Sequence, residues 1–287
     1  MARPPVDFLS KVRDILQHVE ALPPEAATPL AHYLRSTTDL WNLREYVERN
    51  LVQRPHYPGV LRSHVHRLNC MILVNLIETF ERFLKETAAV CVDELSNFVL
   101  DDRFNAFPIH GSVLAVHFGT DTLGKSLCES AIWLGCDDIN KRFRRLLADP
   151  FEEGKFFVLP KKNEEPASER GRFEVLSILW QLRHTIVHNV GVITQSDALK
   201  FRLLLQQPVA SPRVIVPTRD DLRYVKRFLD ETARAINMRV GERLAQLLTN
   251  LLAGNPVLFA PKGMADGLSR AFGTILTVAG VRGTLPP

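Results

Sequence analysis

Apolar residues recur at three- and four-residue intervals over most of this chain, the spacing that puts them on one face of a helix. Residues 6–20 carry Val6, Phe8, Leu9, Val12, Ile15 and Leu16 in that rhythm, a short helix stopped by Pro23-Pro24. The pattern predicts a second helix over 25–51, broken at Arg54-Pro55 and Pro58-Gly59, and a long third one over 60–97. The segment 99–120, with Pro108, reads as irregular; helices return over 121–147 with an interruption near Gly135. Residues 152–171 form a charged linker, followed by a helix over 172–189 that Gly191 ends. Only Asp197–Gln206 and Arg213–Val216 have β character; Pro208 and Pro212 between them fit a small hairpin or an isolated strand. A last long helix is predicted over 219–252, capped by Thr218, with a Gly- and Pro-rich tail from Gly254. The expected class is all-α, with a small β-hairpin or strand after the 172–189 helix.

Composition narrows this only slightly. Of 287 residues, 46% are apolar and 24% charged, enough for a real core. No run reaches the length of a membrane span and the opening Met-Ala-Arg-Pro-Pro has no secretory apolar region, so a cytoplasmic protein with no membrane partner is expected. Cys70, Cys91, Cys128 and Cys136 have no zinc-like spacing and read as free thiols. A net charge of +4 allows an anionic partner without demanding one.

Two charges fall on apolar faces. In the 172–189 helix, Val175, Ile178, Leu179, Leu182 and Ile186 make one apolar face and Leu176, Trp180 and Val187 a second strip, with Arg183 between them. Glu174, Ser177, Gln181, His184, Thr185 and His188 share the polar sector. In the 60–97 helix, the core stripe is Val65, Ile72, Leu76, Phe80, Phe83 and Thr87, while Glu81 lies among Cys70, Val74, Ile77 and Ala88. A buried charge is costly unless paired, so Arg183 and Glu81 are expected to be partners; the alternative is that Glu81 sits at a solvated edge.

The chemistry concentrates at Arg183-His184-x-x-x-His188-Asn189-x-Gly191. Arg offers a forked donor set to phosphate, and His moves protons near neutral pH. This is the equipment for metal-free RNA cleavage. The arrangement resembles the Arg-x4-6-His motif of the HEPN superfamily, all-α domains in which the residue after Arg is commonly Asn, Asp or His. The helix holding Val74-Asn75-Leu76-Ile77-Glu78-Thr79-Phe80-Glu81-Arg82-Phe83 also looks like the earlier helix of such domains, and the resemblance spans about residues 60–252. It implies an up-and-down helical bundle with a small β-hairpin or strand insertion after the motif helix, and it divides the chain into an N-terminal helical extension (1–57), a HEPN-like domain (58–252) and a C-terminal tail (253–287).

The resemblance implies a homodimeric endoribonuclease, a toxin or phage-defence effector, whose site is built from two copies of the motif. Attack of a ribose 2′-OH on the adjacent phosphorus would leave a 2′,3′-cyclic phosphate and a 5′-OH. His188 would be general base or acid, Arg183 would neutralise the phosphorane charge, and His184 would orient His188 or contact phosphate. Asn189 would hold the scissile phosphate or the helix end, and no metal or cofactor is needed because the nucleophile belongs to the RNA. Weaker candidates for RNA contact are Lys141, Arg142, Arg144 and Arg145, and Lys161 and Lys162 in the linker. The alternative is a non-catalytic HEPN-like module that dimerises or docks an antitoxin or regulatory protein. His184 and His188 could instead ligate a metal, although no third ligand stands nearby in sequence.

Overall fold

The computed structural model describes residues 28–52, 58–96, 98, 103, 123–129, 133, 135–148, 158–159, 167–254 and 263–273. Of the residues that can be interpreted, 84% are helical, in eight α-helices with one two-stranded sheet, so the class is all-α. The helix expected over 6–20 and the segment 99–120, apart from Arg103, lie outside the described residues.

The organising element is α2 (Pro58–Ser96), 39 residues long. Its apolar stripe is so regular that Ile72, Leu76, Phe80, Phe83 and Thr87 are all at most 2% exposed. The Thr87 hydroxyl is accommodated in this dry interior by donating to the Phe83 carbonyl at 2.7 Å. Against this stripe lies α1 (Pro29–Val47), opened by Thr28, whose hydroxyl accepts from the Ala31 amide. The pair runs antiparallel, since His32 meets Glu86 and Arg82 meets Ser36, while Arg44 reaches Asn69. Tyr33 packs its ring 6.1 Å from Phe80 and 5.5 Å from Phe83, an aromatic cluster at the centre of the core. A π-helical turn, Glu48–Val52, follows α1.

Two short helices close one end. In α3 (Leu123–Glu129), Gly124 lies so near α2 that a Cβ there would come within 2.0 Å of the Ala89 carbonyl oxygen. Its amide donates to Asp93. The strongly amphipathic α4 (Cys136–Leu147) starts at Gly135, whose φ of 101° suits glycine, and buries Ile139, Phe143, Leu146 and Leu147.

The motif helix is α5 (Ala167–Asn189), five residues longer at its start than the sequence pattern implies. After it come β1 (Val192–Ile193), α6 (Gln195–Leu205) and β2 (Arg213–Val214), with β1 and β2 paired antiparallel, Val192 opposite Val214. This corrects the β reading of Asp197–Gln206. Thr194 and Asp197 form a reciprocal capping box that starts a helix, and α6 exposes Leu199, Leu203 and Leu205 while burying Asp197, which blurs the helical period. The partner of Arg213–Val214 is therefore the strand directly after α5.

The final long helix, α7 (Arg219–Gly254), is capped as expected by Thr218, whose amide and hydroxyl both meet the Asp221 carboxylate. Leu222, Leu229, Ala233, Ile236, Val240, Leu244 and Leu248 line its buried side. A helix also stands within the tail: α8 (Met264–Phe272) buries Met264, Leu268 and Phe272. The core thus runs from Tyr33 to Phe272, across both boundaries drawn at 57 and 253. No described helix is long and apolar enough to cross a membrane. Cys91, Cys128 and Cys136 are buried free thiols, and burial pushes Cys128 and Cys136 up to about 12.

Candidate active site

α5 presents its chemistry in its last two turns. His184 and His188 are one turn apart on an exposed edge, their ring centroids 4.6 Å from each other. Arg183, one residue round the helix, turns toward α2. Its Nη2 donates to the Glu78 carboxylate at 3.0 Å, while its Nε is buried with no acceptor among the described residues. The Arg183 side chain is 22% exposed and that of Glu78 42% exposed, so this ion pair stands at the rim of the bundle.

The expected pairing of Arg183 with Glu81 is wrong. Glu81 accepts instead from Lys85, one turn further along α2, at 3.2 Å. Glu78 and Glu81 are three residues apart, which rotates them by about 60° around the axis, and it is the Glu78 side that faces α5. Glu81 is only 16% exposed, so it is no open surface group, but its charge is met within its own helix.

The polar sector of α5 also differs from its expected, solvated character. Thr185, between the two histidines, is fully buried, and Val187, expected on an apolar strip, is 44% exposed. The reason is α6, which packs on that sector and brings in Asp197, itself only 2% exposed. Asn189 donates to Asp197 at 2.7 Å, Gln181 donates at 3.1 Å, and the Thr194 amide and hydroxyl donate at 3.1 and 2.8 Å. Burial alone would push the Asp197 carboxyl up; the hydrogen bonds from Thr194, Asn189 and Thr185 together outweigh it and hold the group below the usual aspartate range. Asp197 is thus a buried acceptor that ties the end of the motif helix to the start of α6. Asn189 is engaged in holding the helix end. Sequence reading missed Asp197, although the spacing Thr194-x-x-Asp197 is a capping-box signal.

The chain leaves α5 through a constrained turn. Val190 has φ of 51° and Gly191 φ of 78°, and the Gly191 amide closes back on the Thr185 carbonyl at 3.3 Å. A left-handed conformation is ordinary for Gly191 but costs a β-branched residue about 1–2 kcal/mol. The strain falls two residues after His188. Gly191 then passes into β1, and its carbonyl accepts from Ile215 at 2.9 Å.

The remaining basic candidates are elsewhere. Arg142 and Arg144 are half-buried on α4, and the Arg142 guanidinium lies 5.4 Å from the Trp133 ring. Lys141 and Arg145 point outward on the same helix. Arg142 acts electrostatically on Cys128, which feels Asp93 of α2. Asp93 is fifteen residues beyond Glu78, about 22 Å along the helix axis. The α4 cluster therefore lies toward the C-terminal end of α2, whereas the motif meets α2 at its middle. Lys161 and Lys162 lie outside the described residues. Among the described residues, no group of three or more His, Cys, Asp or Glu is placed to hold a metal ion, so the histidine pair offers two ligands where zinc sites use three or four.

Comparison with known protein families, with curated proteins and with solved structures finds no match for this chain.

Proposed function

We propose that this protein is a metal-independent endoribonuclease of HEPN type that acts as a homodimer. The observation that carries the reading is the close, exposed His184–His188 pair beside Arg183 at the end of one helix. His188 takes the proton of a ribose 2′-OH as the P–O2′ bond forms. The P–O5′ bond breaks, and the leaving 5′ oxygen receives a proton from an imidazolium, supplied by His184 or by His188 of a second copy. Arg183 meets the phosphate by exchanging Glu78 for it, an exchange that the exposure of Glu78 favours. The Asp197 bracket and the tight turn at Val190 fix the helix end, so the imidazoles keep their geometry while the phosphate moves.

Incubation with total cellular RNA in EDTA tests this. Fragments ending in 2′,3′-cyclic phosphate are expected, with a loss of about 100- to 10,000-fold on His188→Ala. Uncut RNA, or equal cutting by His188→Ala, rejects it.

A second reading is favoured by one feature of the same corner. Val187, Val190, Leu199, Leu203, Val214 and Val216 are 44–87% exposed, an apolar surface that suits a docking module without catalysis. In that case a stoichiometric complex forms with an antitoxin or regulatory protein and RNA is left intact.

A further inference from the structure

A second concave site lies between α1 and the first half of α7, and it goes beyond the cleavage reading. A cavity of about 400 Å³ is bordered by Trp41 from α1 and, from α7, by five cations and two carboxylates. The α7 residues repeat at three- and four-residue steps from Arg219 to Arg234, so they form one continuous helical face.

The charges are not all committed. Lys226 is paired with Asp230 at 2.6 Å and Arg227 with Glu231 at 2.8 Å, so both acids of the cavity are answered within α7. Asp230 also accepts from the Thr37 hydroxyl of α1, at 3.3 Å. Arg219 is held by Glu45 at 2.7 and 2.9 Å and by Glu48 at 3.4 Å. Two cations are left over. Arg223 makes only a 3.5 Å contact with the exposed Asp220 and lies with its guanidinium 5.8 Å from the Trp41 ring. Arg234 is exposed and makes no ion pair among the described residues. The Trp41 ring is anchored by packing against the core, so an aromatic surface is fixed beside the Arg223 guanidinium, with Arg234 further along the same cavity.

We propose that this cleft binds a nucleotide unit, with a base stacked at Trp41 and its phosphate on Arg223, while Arg234, about three turns further along α7, meets a further phosphate of a strand. Aromatic stacking combined with backbone-tracking cations is how single strands are gripped without reading their sequence. An acidic peptide would use the cations and leave the ring unused. The cleft starts close to the motif. Asn69 and Cys70 of α2 hold the carbonyls of Pro217 and Ile215 just before α7, and the Ile215 amide is bonded to Gly191 just after α5. A strand leaving His188 toward β2 thus comes to the start of α7. The unit is either one residue of an RNA strand or a free nucleotide.

The test uses the full chain with a fluorescein-labelled 2′-O-methyl decauridylate, which lacks the attacking hydroxyl, and separately AMP. Binding is followed by anisotropy and calorimetry at several salt concentrations. The Arg223→Ala/Arg234→Ala double variant, whose changes are both at exposed positions, should bind the strand at least about 10-fold more weakly. Its salt slope should fall by about 0.7 for each phosphate that the variant no longer neutralises. Trp41→Phe should keep most of the affinity that Trp41→Ala loses. AMP binding with the same arginine dependence assigns a free-nucleotide site, and strand binding alone assigns an RNA track. No binding of either probe, or affinity and slope unchanged in the double variant, overturns the proposal. Wild-type protein that binds through these arginines but cuts no RNA sinks the nuclease reading and leaves this one standing.

Discussion

Around Tyr33, Phe80 and Phe83 the protein is apolar inside and charged outside, with Arg82, Glu86 and Lys85 on the rim. The α5–α6 corner inverts this arrangement. Its interior holds Asp197, Thr185, Asn189 and Gln181 in a hydrogen-bonded cluster, while its exterior shows Val190 at 87% and Leu203 at 81% exposure. The first region is what folding alone requires, because area removed from water offsets chain entropy. The second spends polar groups on a fixed geometry and leaves apolar area in water. Such an inversion is useful where a rigid polar end must be presented and the surrounding surface is to be covered.

If the contrast holds, the largest loss of stability belongs to the aromatic centre. Phe83→Ala removes a fully buried ring and should cost about 3–5 kcal/mol in urea melts. The corner should come second. Asp197→Ala strands the donors of Thr194, Asn189 and Gln181 and should cost about 2–3 kcal/mol. A larger loss for Asp197→Ala than for Phe83→Ala would reverse the comparison. Acid sharpens it. The folded carboxyl of Asp197 is lowered, so its stabilisation is complete above the ordinary aspartate value of about 3.9. That stabilisation disappears as pH falls through the lower folded value. The gap between wild type and Asp197→Ala should therefore narrow on going from pH 6 to below pH 3, and a gap constant in pH would mean that Asp197 is not held as an anion.

How far each region was legible follows from the same contrast. The core stripe of α2 and the Thr218 cap of α7 are local patterns with one dominant period, and both stand where the sequence puts them. The motif residues are contiguous, so their shared helix was also readable, as was the shared face of His184 and His188. The partner of Arg183 was not, because choosing between Glu78 and Glu81 needs the rotation of α2 relative to α5, which no single-helix pattern encodes. The helical period of α6 is hidden because Leu199, Leu203 and Leu205 are exposed and Asp197 is buried, the reverse of the usual pattern. The cleft at Trp41 joins residues almost two hundred positions apart and left no local trace.

A smaller effect is expected at the rim. Glu78→Ala breaks the bond to Arg183, but with Glu78 42% exposed, solvent takes up much of the charge, and the loss should stay below about 1 kcal/mol. Glu81→Ala should cost a similar amount through Lys85. On the nuclease reading proposed above the two variants separate in function: Glu78→Ala should change the KM for RNA, because Arg183 no longer exchanges one anion for another, and Glu81→Ala should leave it unchanged. A loss of about 3–5 kcal/mol at Glu78, the range of a broken buried pair, would place Arg183 in the dry interior after all.

The smallest effect on the monomer is the most informative for the outer surface. Leu203 is 81% exposed, so replacing it by Asp removes almost no buried area and should alter monomer stability by no more than about 0.5 kcal/mol. If the apolar corner is where two copies meet, the same change puts a carboxylate into a dry contact on both sides of a two-fold axis and should dissociate the dimer. Sedimentation across a concentration series reads this directly, and the melting temperature of the wild type should rise with concentration while that of Leu203→Asp does not. Met238→Asp is the control. Met238 is 54% exposed on α7, about 30 Å along the helix from Pro217, and its substitution should leave assembly alone. Should both variants sediment as wild type, the exposed leucines of α6 are not a dimer contact, and the inverted corner needs an occupant other than a second copy of this chain.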